Sequence, residues 1–222
     1  MTIAPIAPVI AIDGPTASGK GTVAAEAAAE LDFHYLDSGA LYRIVGLAAI
    51  RSGARLDDGE ALAGLARHIE PRFVEGKIIE HREDITGAIR GEEVSRAASQ
   101  CAIFPLVRQA LLDRQHAFRR PPGLVADGRD MGTVVFPDAV LKVYLTASVA
   151  VRAGRRHKQL IEKGIPANID GLLRDLQERD SRDSGRLSAP LAIASDALVL
   201  DTSSMSIDDA VAAVIAAYRS RR

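Results

Sequence analysis

The sequence predicts an α/β fold built on a five-stranded parallel sheet. Three observations carry that expectation. Five short apolar runs alternate with segments of helical period, a glycine-rich loop follows the first run directly, and charged residues gather just past the ends of several runs. At 222 residues and 47% hydrophobic content, the chain is long enough for one sizeable core with room for inserted subdomains. A formal net charge of −1 and an aromatic content of 4% give no global field and no stacking surface, which argues against nucleic-acid or membrane partners. Basic function must be local.

The first run, Val9 to Ile12, is apolar throughout and fits a strand buried on both faces. Asp13 and Gly14 end it. From Gly14 to Lys20 the spacing is G-x-x-x-x-G-K, in which backbone amides close around phosphate oxygens while the lysine ammonium reaches outer phosphates. The loop residues Gly14, Pro15, Thr16, Ala17, Ser18, Gly19, Lys20, Gly21 and Thr22 are therefore the candidate nucleotide site. A helix from Gly19 or Lys20 to about Leu31 would turn its positive end toward the phosphates. Gly21 stands where the usual pattern has a hydroxyl, which arrives instead at Thr22. This GKGT variant is similar to the loop of nucleoside monophosphate kinases rather than that of GTPases.

Phe33 to Asp37 reads as the second strand and Leu41 to Arg51 as a helix with Arg43 in its first turn. The stretch DSGALYR, with Ser38 and Arg43, thus lies at the carboxyl edge of the sheet, where a second substrate is met. Asp57 to Glu70 reads as a surface helix, Arg72 to His81 as a hairpin turning at Glu75-Gly76-Lys77, and Glu83 to Ala98 as a turn and helix. Pro105 to Arg120 reads as a helix whose Arg108, Arg114, Arg119 and Arg120 are mostly a solvated face. Leu124 to Asp127 is the next strand and ends in Asp127-Gly128-Arg129-Asp130, where Asp127 suits either a water-mediated magnesium site or a turn cap.

Ala139 to Thr146 reads as a strand, and Ser148 caps a helix from Val149 to about Lys163. Its Arg152, Arg155 and Arg156 stand at i, i+3 and i+4, on one helical face. Asp170 to about Ser184 repeats the device with Arg179, Arg182 and Arg186, with Asp183 among them. Two arginine-bearing helices after a phosphate loop favour a lid over transferring phosphates. Ala197 to Asp201 and Asp208 to Tyr218 supply the last strand and helix. The single cysteine, Cys101, excludes a disulfide framework and is expected as a small buried hydrophobe. The apolar start Met1 to Ile12 lacks a basic n-region and a cleavage site, and no run approaches the ~18 apolar residues of a spanning helix, so a cytoplasmic protein is expected.

The stretches GPTASGKGT (14–22), DSGALYR (37–43), ASQCAIFPLVR (98–108), LVADGRDMGTVVFPDA (124–139) and ERDSRDSGRLSAPL (178–191) together make the chain resemble the bacterial cytidylate kinases along nearly its whole length. The resemblance implies a P-loop NTPase core of three α/β/α layers around the parallel sheet (1–63, 99–150 and 187–222), a nucleoside-monophosphate-binding insert at about 64–98 and a helical lid at about 151–186. It implies ATP as donor with Mg²⁺, CMP or dCMP as acceptor, and a monomer. Carried over by position, Ser99, Arg108 and Asp130 face the cytosine, Arg179 and Asp183 the pentose, and Arg43, Arg129 and Arg186 the acceptor phosphate. Ser38 joins the acceptor set, Arg156 the ATP set, and Thr22 with Asp127 through water the metal. Lys20, Arg129, Arg179 and Arg186 are the expected catalytic cations.

Two departures stand out. Many relatives have Ser-Gly-Ala where this loop has Thr16-Ala17-Ser18, and the alanine at 17 predicts that no positive φ is needed there. The insert hairpin is short for the family. Competing readings are a kinase of the same loop type acting on UMP, AMP or shikimate, or a nucleotide switch. The switch lacks an N-K-x-D guanine-reading motif here.

Overall fold

The computed structural model describes residues 6–74, 76–162, 164, 166–186 and 188–221. The chain falls into two units, Met1–Leu36 with Phe118–Arg222, and Asp37–Ala117. The expected insert at 64–98 falls within the second.

The first unit is built on a five-stranded parallel sheet with the order β2-β6-β1-β7-β8, as the alternation of apolar runs and helices predicts. Its strands are β1 (Val9–Asp13), β2 (His34–Asp37), β6 (Leu124–Gly128), β7 (Leu141–Thr146) and β8 (Leu198–Asp201). All five residues of β1 are buried, so the central strand has no wet face and needs none of the polar alternation of an edge. Register sets the function-bearing edge: Asp13 pairs with Gly128 and with Tyr144, and Thr146 with Asp201. The residues that follow each of these strands therefore emerge side by side, at the carboxyl edge where ligands of open parallel sheets bind.

Helices α1 (Lys20–Glu30) and α8 (Ile207–Arg219) cover one face of this sheet. Ile10, Ile12, Val125, Leu141, Val143 and Leu145 meet Val23, Ala24, Ala27 and Ala28 of α1 and Val211, Val214, Ile215 and Tyr218 of α8. The alanines let α1 lie close to the strands, and each fully buried Val, Ile or Leu stabilises the fold by about 1.5–3 kcal/mol. Phe33 and Tyr218 meet edge to face at 5.6 Å. The remaining helices of the unit are α6 (Val149–Glu162) and α7 (Ile169–Ser184), the latter capped by Asn168, whose side chain accepts from the Asp170 amide at 2.9 Å. Lys163, where the sequence expects α6 to end, lies outside the described residues.

The second unit carries α2 (Ser38–Ser52), α3 (Gly59–His68), a small antiparallel sheet β3-β4-β5 (Arg72–Val74, Lys77–Glu80, Glu83–Asp84), α4 (Glu92–Cys101) and α5 (Pro105–His116). Helix α2 starts at Ser38, three residues before the expected Leu41, because the Asp37 carboxylate caps it by accepting from the Ala40 amide at 3.0 Å. Arg43 consequently stands in its second turn. Helices α2 and α4 meet at Gly46, where a Cβ would stand 2.9 Å from the Ala98 nitrogen. Strand β5 is absent from the sequence reading because its two residues are charged and exposed, and Glu75 of the expected hairpin turn lies outside the described residues. The Glu83 carboxylate instead receives both Arg51 guanidinium branches at 2.7 Å. Helix α5 ends at His116, short of the expected Arg120. Among the described residues no helix is long and apolar enough to cross a membrane.

Candidate active site

The loop Gly14–Thr22 leaves the end of β1 and enters α1 at Lys20, as the motif requires. Gly14 is fixed by close approach, since a Cβ there would stand 2.0 Å from the Leu145 carbonyl oxygen. Gly19, ahead of the helix, has φ 95°. Ala17 has φ 61°, so the expectation that this position needs no positive φ is wrong: the loop imposes a left-handed turn on an alanine, at a cost of about 1–2 kcal/mol. Lys20 is buried, with Nζ 3.5 Å from the Pro15 carbonyl oxygen. The Ser18 hydroxyl is also buried and has no hydrogen-bond partner among the described residues, the mark of a group positioned for a ligand.

Arg129, after β6, reaches across to the loop and to α7. Its Nη2 donates to the Thr16 hydroxyl at 2.6 Å, its Nε to Asp183 at 2.7 Å and its Nη1 to the Gly128 carbonyl at 3.0 Å. Asp183 also accepts from Arg186, which lies two residues past the end of α7 rather than on it. Burial would raise the Asp183 pKa, but the Arg129 and Arg186 guanidiniums hold the carboxyl below the usual carboxylate range. Burial likewise disfavours the charge on Arg129, and Asp183, Asp127 and Asp13 more than offset it, raising its pKa. Arg129 and Arg186 are thereby held side by side as cations by one carboxylate. Arg179, on α7, is half-buried.

Asp130 is buried and opens a π-helical turn, Met131–Val135, which the sequence did not predict. What fixes this turn is Asp13, read from the sequence only as a strand end. Its carboxylate accepts from the amides of Met131 and Gly132, both at 2.8 Å. Burial pushes the Asp13 carboxyl up to about 6, against the pull of those two amides. Its signal in the sequence was an acidic residue closing a wholly buried strand.

Asp127 resolves toward the loop. Its Oδ1 accepts from the Tyr35 hydroxyl at 2.8 Å, and its Oδ2 lies 3.8 Å from where a Gly21 Cβ would be. Thr22, the residue after Gly21, is exposed. Among the described residues there is no cluster of three or more His, Cys, Asp or Glu able to hold a metal. A hydroxyl and a carboxylate are oxygen donors of the kind magnesium takes, an ion that keeps several waters and takes its remaining ligands from nucleotide phosphates.

The arginines of α6 do not act as one face toward phosphates. Arg152 is buried: its Nη1 donates to the Thr16 carbonyl at 3.1 Å, its Nε to the Ala147 carbonyl at 2.9 Å, and its Nη2 pairs with Asp180 of α7 at 2.6 Å. Arg155 donates to the carbonyls of Ser18 at 2.9 Å and Thr202 at 2.6 Å. Arg156 instead lies with Nη1 3.5 Å from Gln159 Oε1.

In the second unit, Ser38 opens α2, Arg43 is half-buried, and Ser99 of α4 is buried. Arg108 is buried, contrary to the solvated face expected of its helix; its Nη1 donates to the Ala102 carbonyl at 3.3 Å and its guanidinium lies 5.7 Å from the Tyr42 ring centroid. Arg114 and Arg119 also leave that face, bonded to the carbonyls of Arg67 and Ala7 respectively, and Arg119 pairs with Asp138 at 2.8 Å. Arg120 is exposed. Cys101 is buried as expected, and burial pushes its thiol up to about 11.

Comparison with known proteins matches this architecture at two levels. In fold, the chain is similar to an uncharacterised protein from Eubacterium ventriosum (TM-score 0.54, 12% identity, 96% of this chain and 99% of that one). It is also similar to a gluconokinase from Sinorhizobium meliloti (TM-score 0.51, 14% identity, 98% and 94%). In sequence, it is 61% identical to the cytidylate kinase of Paraburkholderia phymatum and 59% identical to that of Burkholderia ambifaria, each over 96% of this chain and 93% of the relative. The cytidylate kinase family model spans residues 10–220, from the first strand to the last helix. A phosphate loop closed by a buried lysine, a cation pair held by Asp183 and a match over nearly the whole length agree: this chain belongs to the cytidylate kinase family.

Proposed function

We propose a division of labour for the reaction that family membership gives, the ATP-dependent phosphorylation of CMP and dCMP to CDP and dCDP. The core (1–63, 99–150 and 187–222) carries the donor loop, 64–98 serves as the nucleoside-binding insert and 151–186 as the lid. An oxygen of the acceptor's phosphate attacks the γ-phosphorus in line as the bond to the β–γ bridging oxygen breaks, leaving ADP. No covalent enzyme intermediate is required, so positioning and charge stabilisation carry the catalysis.

Gly14, Pro15, Thr16, Ala17, Ser18, Gly19, Lys20, Gly21 and Thr22 hold the donor phosphates, with Arg156 on the nucleotide. Lys20, Arg129, Arg179 and Arg186 face the charge that spreads over the transferring group. The Asp183 carboxylate keeps Arg129 and Arg186 aligned before substrate arrives and then bonds the pentose. Thr22, and Asp127 through water, would hold magnesium, which when bound neutralises phosphate charge and orients the donor. In the second unit, Ser38, Arg43, Ser99 and Arg108 are assigned to the acceptor.

Asp130 reads the base. Cytosine presents an amino donor where uracil presents a carbonyl, and a buried carboxylate accepts from the first and repels the second. We assign the enzyme to the cytoplasm as a monomer. No observation favours UMP, AMP or shikimate as acceptor, or a nucleotide switch.

The observation that carries this assignment is the buried Lys20 at the head of α1, with the Arg129–Asp183–Arg186 cluster bonded to the same loop through Thr16. Coupled ADP release with magnesium ATP against CMP, dCMP, UMP, AMP, GMP and dTMP tests it. Turnover concentrated on CMP and dCMP is expected; preference for another acceptor overturns it.

A further inference from the structure

The loop has two residues in left-handed conformation that the motif does not explain by itself, Ala17 at φ 61° and Gly19 at φ 95°. In each case the peptide just before that residue has its carbonyl held by an arginine of α6. The Thr16 carbonyl takes Arg152 Nη1 at 3.1 Å, and the Ser18 carbonyl takes Arg155 Nη1 at 2.9 Å. A trans peptide is planar, with its C=O and N–H pointing opposite ways, so holding the oxygen fixes where the amide of the next residue is aimed. Successive amides turned to one side by alternating backbone hand form an anion-binding concavity.

Neither arginine is loosely placed. Arg152 is tied by Ala147 and Asp180, and Arg155 donates to the Thr202 carbonyl at 2.6 Å. Thr202, buried just past β8, has its hydroxyl 3.1 Å from both the Ser18 and the Thr146 carbonyls and accepts from Arg155 Nη1 at 3.2 Å, so it ties Arg155 and the Ser18 carbonyl to the end of the sheet.

We propose that Arg152 and Arg155, with Thr202, are positioning residues for the donor nucleotide: they hold the Thr16 and Ser18 carbonyls so that the Ala17 and Gly19 amides face the phosphates. They act through the loop and touch no substrate. The conformational cost of the left-handed alanine is sustained by the Arg152 bond to the peptide before it. This rests on the loop being the donor site, as proposed above.

Three variants test it: Arg155→Met, Arg155→Lys and Thr202→Val. ADP affinity is measured by titration calorimetry, KM for ATP and CMP by coupled assay, and folding by thermal melt. Loss of a hydrogen bond to a charged donor predicts that Arg155→Met weakens ADP and raises KM for ATP by about tenfold or more, with KM for CMP within about twofold. Thr202→Val, which removes no charge, is expected to raise KM for ATP by about threefold or more, and Arg155→Lys to fall between wild type and Arg155→Met.

Wild-type ATP and ADP values in Thr202→Val, or full retention in Arg155→Lys, would mean that charge alone matters and would overturn the inference. So would equal losses for ATP and CMP. If Arg155→Met does not fold, the other two variants decide. Failure of the wild type to bind ADP would instead remove the donor-site reading itself, so the two failures are distinguishable.

Discussion

Helices α6 and α7 offer nearly the same arginine spacing to solvent on paper, and the structure uses them in opposite ways. Arg152 and Arg155 of α6 bond to backbone carbonyls of the loop, so their charge is directed at dipoles of the protein itself. On the α7 side, Arg186 joins Arg129 around the single carboxylate of Asp183, leaving two cations beside one anion. The difference teaches that a guanidinium's role follows from what satisfies its donors. Arg155 donates to neutral backbone oxygens and Arg152 divides its donors between such oxygens and Asp180, whereas Arg129 and Arg186 share the Asp183 carboxylate.

That contrast predicts separate kinetic signatures. The largest effects belong to cations facing the transferring group: Lys20→Ala and Arg186→Ala are each expected to lower kcat by about 10²–10³, measured by coupled assay at saturating nucleotides. A kcat within about threefold of wild type in either variant would remove its assigned role.

The cluster itself is sharpened by Asp183→Ala, which removes the carboxylate shared by Arg129 and Arg186 and is expected to destabilise the protein by about 3–5 kcal/mol in urea unfolding. Asp183→Asn should show the pH signature. Because the folded-state pKa is depressed, the carboxylate stabilises the fold above the unfolded value near 3.8, and that stability is lost as pH falls through the still lower folded value. The Asn variant should lack that acid-side loss.

Asp13 has the reverse sign. Its folded pKa of about 6 lies above the ordinary 3.8, so the folded state binds the proton more tightly between them. Its contribution is fully present below about pH 4 and falls as pH rises to about 6, by roughly 3 kcal/mol. Asp13→Asn should flatten that part of the stability profile.

A smaller change is expected for base choice: Asp130→Ala should narrow the CMP over UMP preference in kcat/KM by about tenfold to a hundredfold, and an unchanged ratio would dismiss Asp130 as the reader. Smallest of all is Arg120→Ala, an exposed arginine outside every cluster described, expected within about 0.5 kcal/mol in stability and without effect on either KM.

Much of the fold was legible because it rests on periodicity. Short apolar runs between helical segments announced the parallel strands, and the glycine spacing after Val9–Asp13 announced the loop. What the sequence hid were interactions between distant segments. Alanine at 17 argued against a positive φ, yet its φ is 61°, and the Thr16 carbonyl just before it takes a bond from Arg152, 136 residues from Thr16. Arg152, Arg155 and Arg156 read as one helical face of a lid because spacing shows which face a side chain is on and not which acceptor it finds. Asp13 and the turn it caps lie over a hundred residues apart, and strand β5 is too short and too charged for any alternation to register.

The most direct measurement is to follow the labelled phosphoryl group. With ATP carrying label in the γ-position, magnesium and CMP, the account predicts label in CDP at a rate matching ADP formation, and loss of both in Lys20→Ala. Label released as inorganic phosphate with none in CDP, or undiminished transfer by Lys20→Ala, would contradict it.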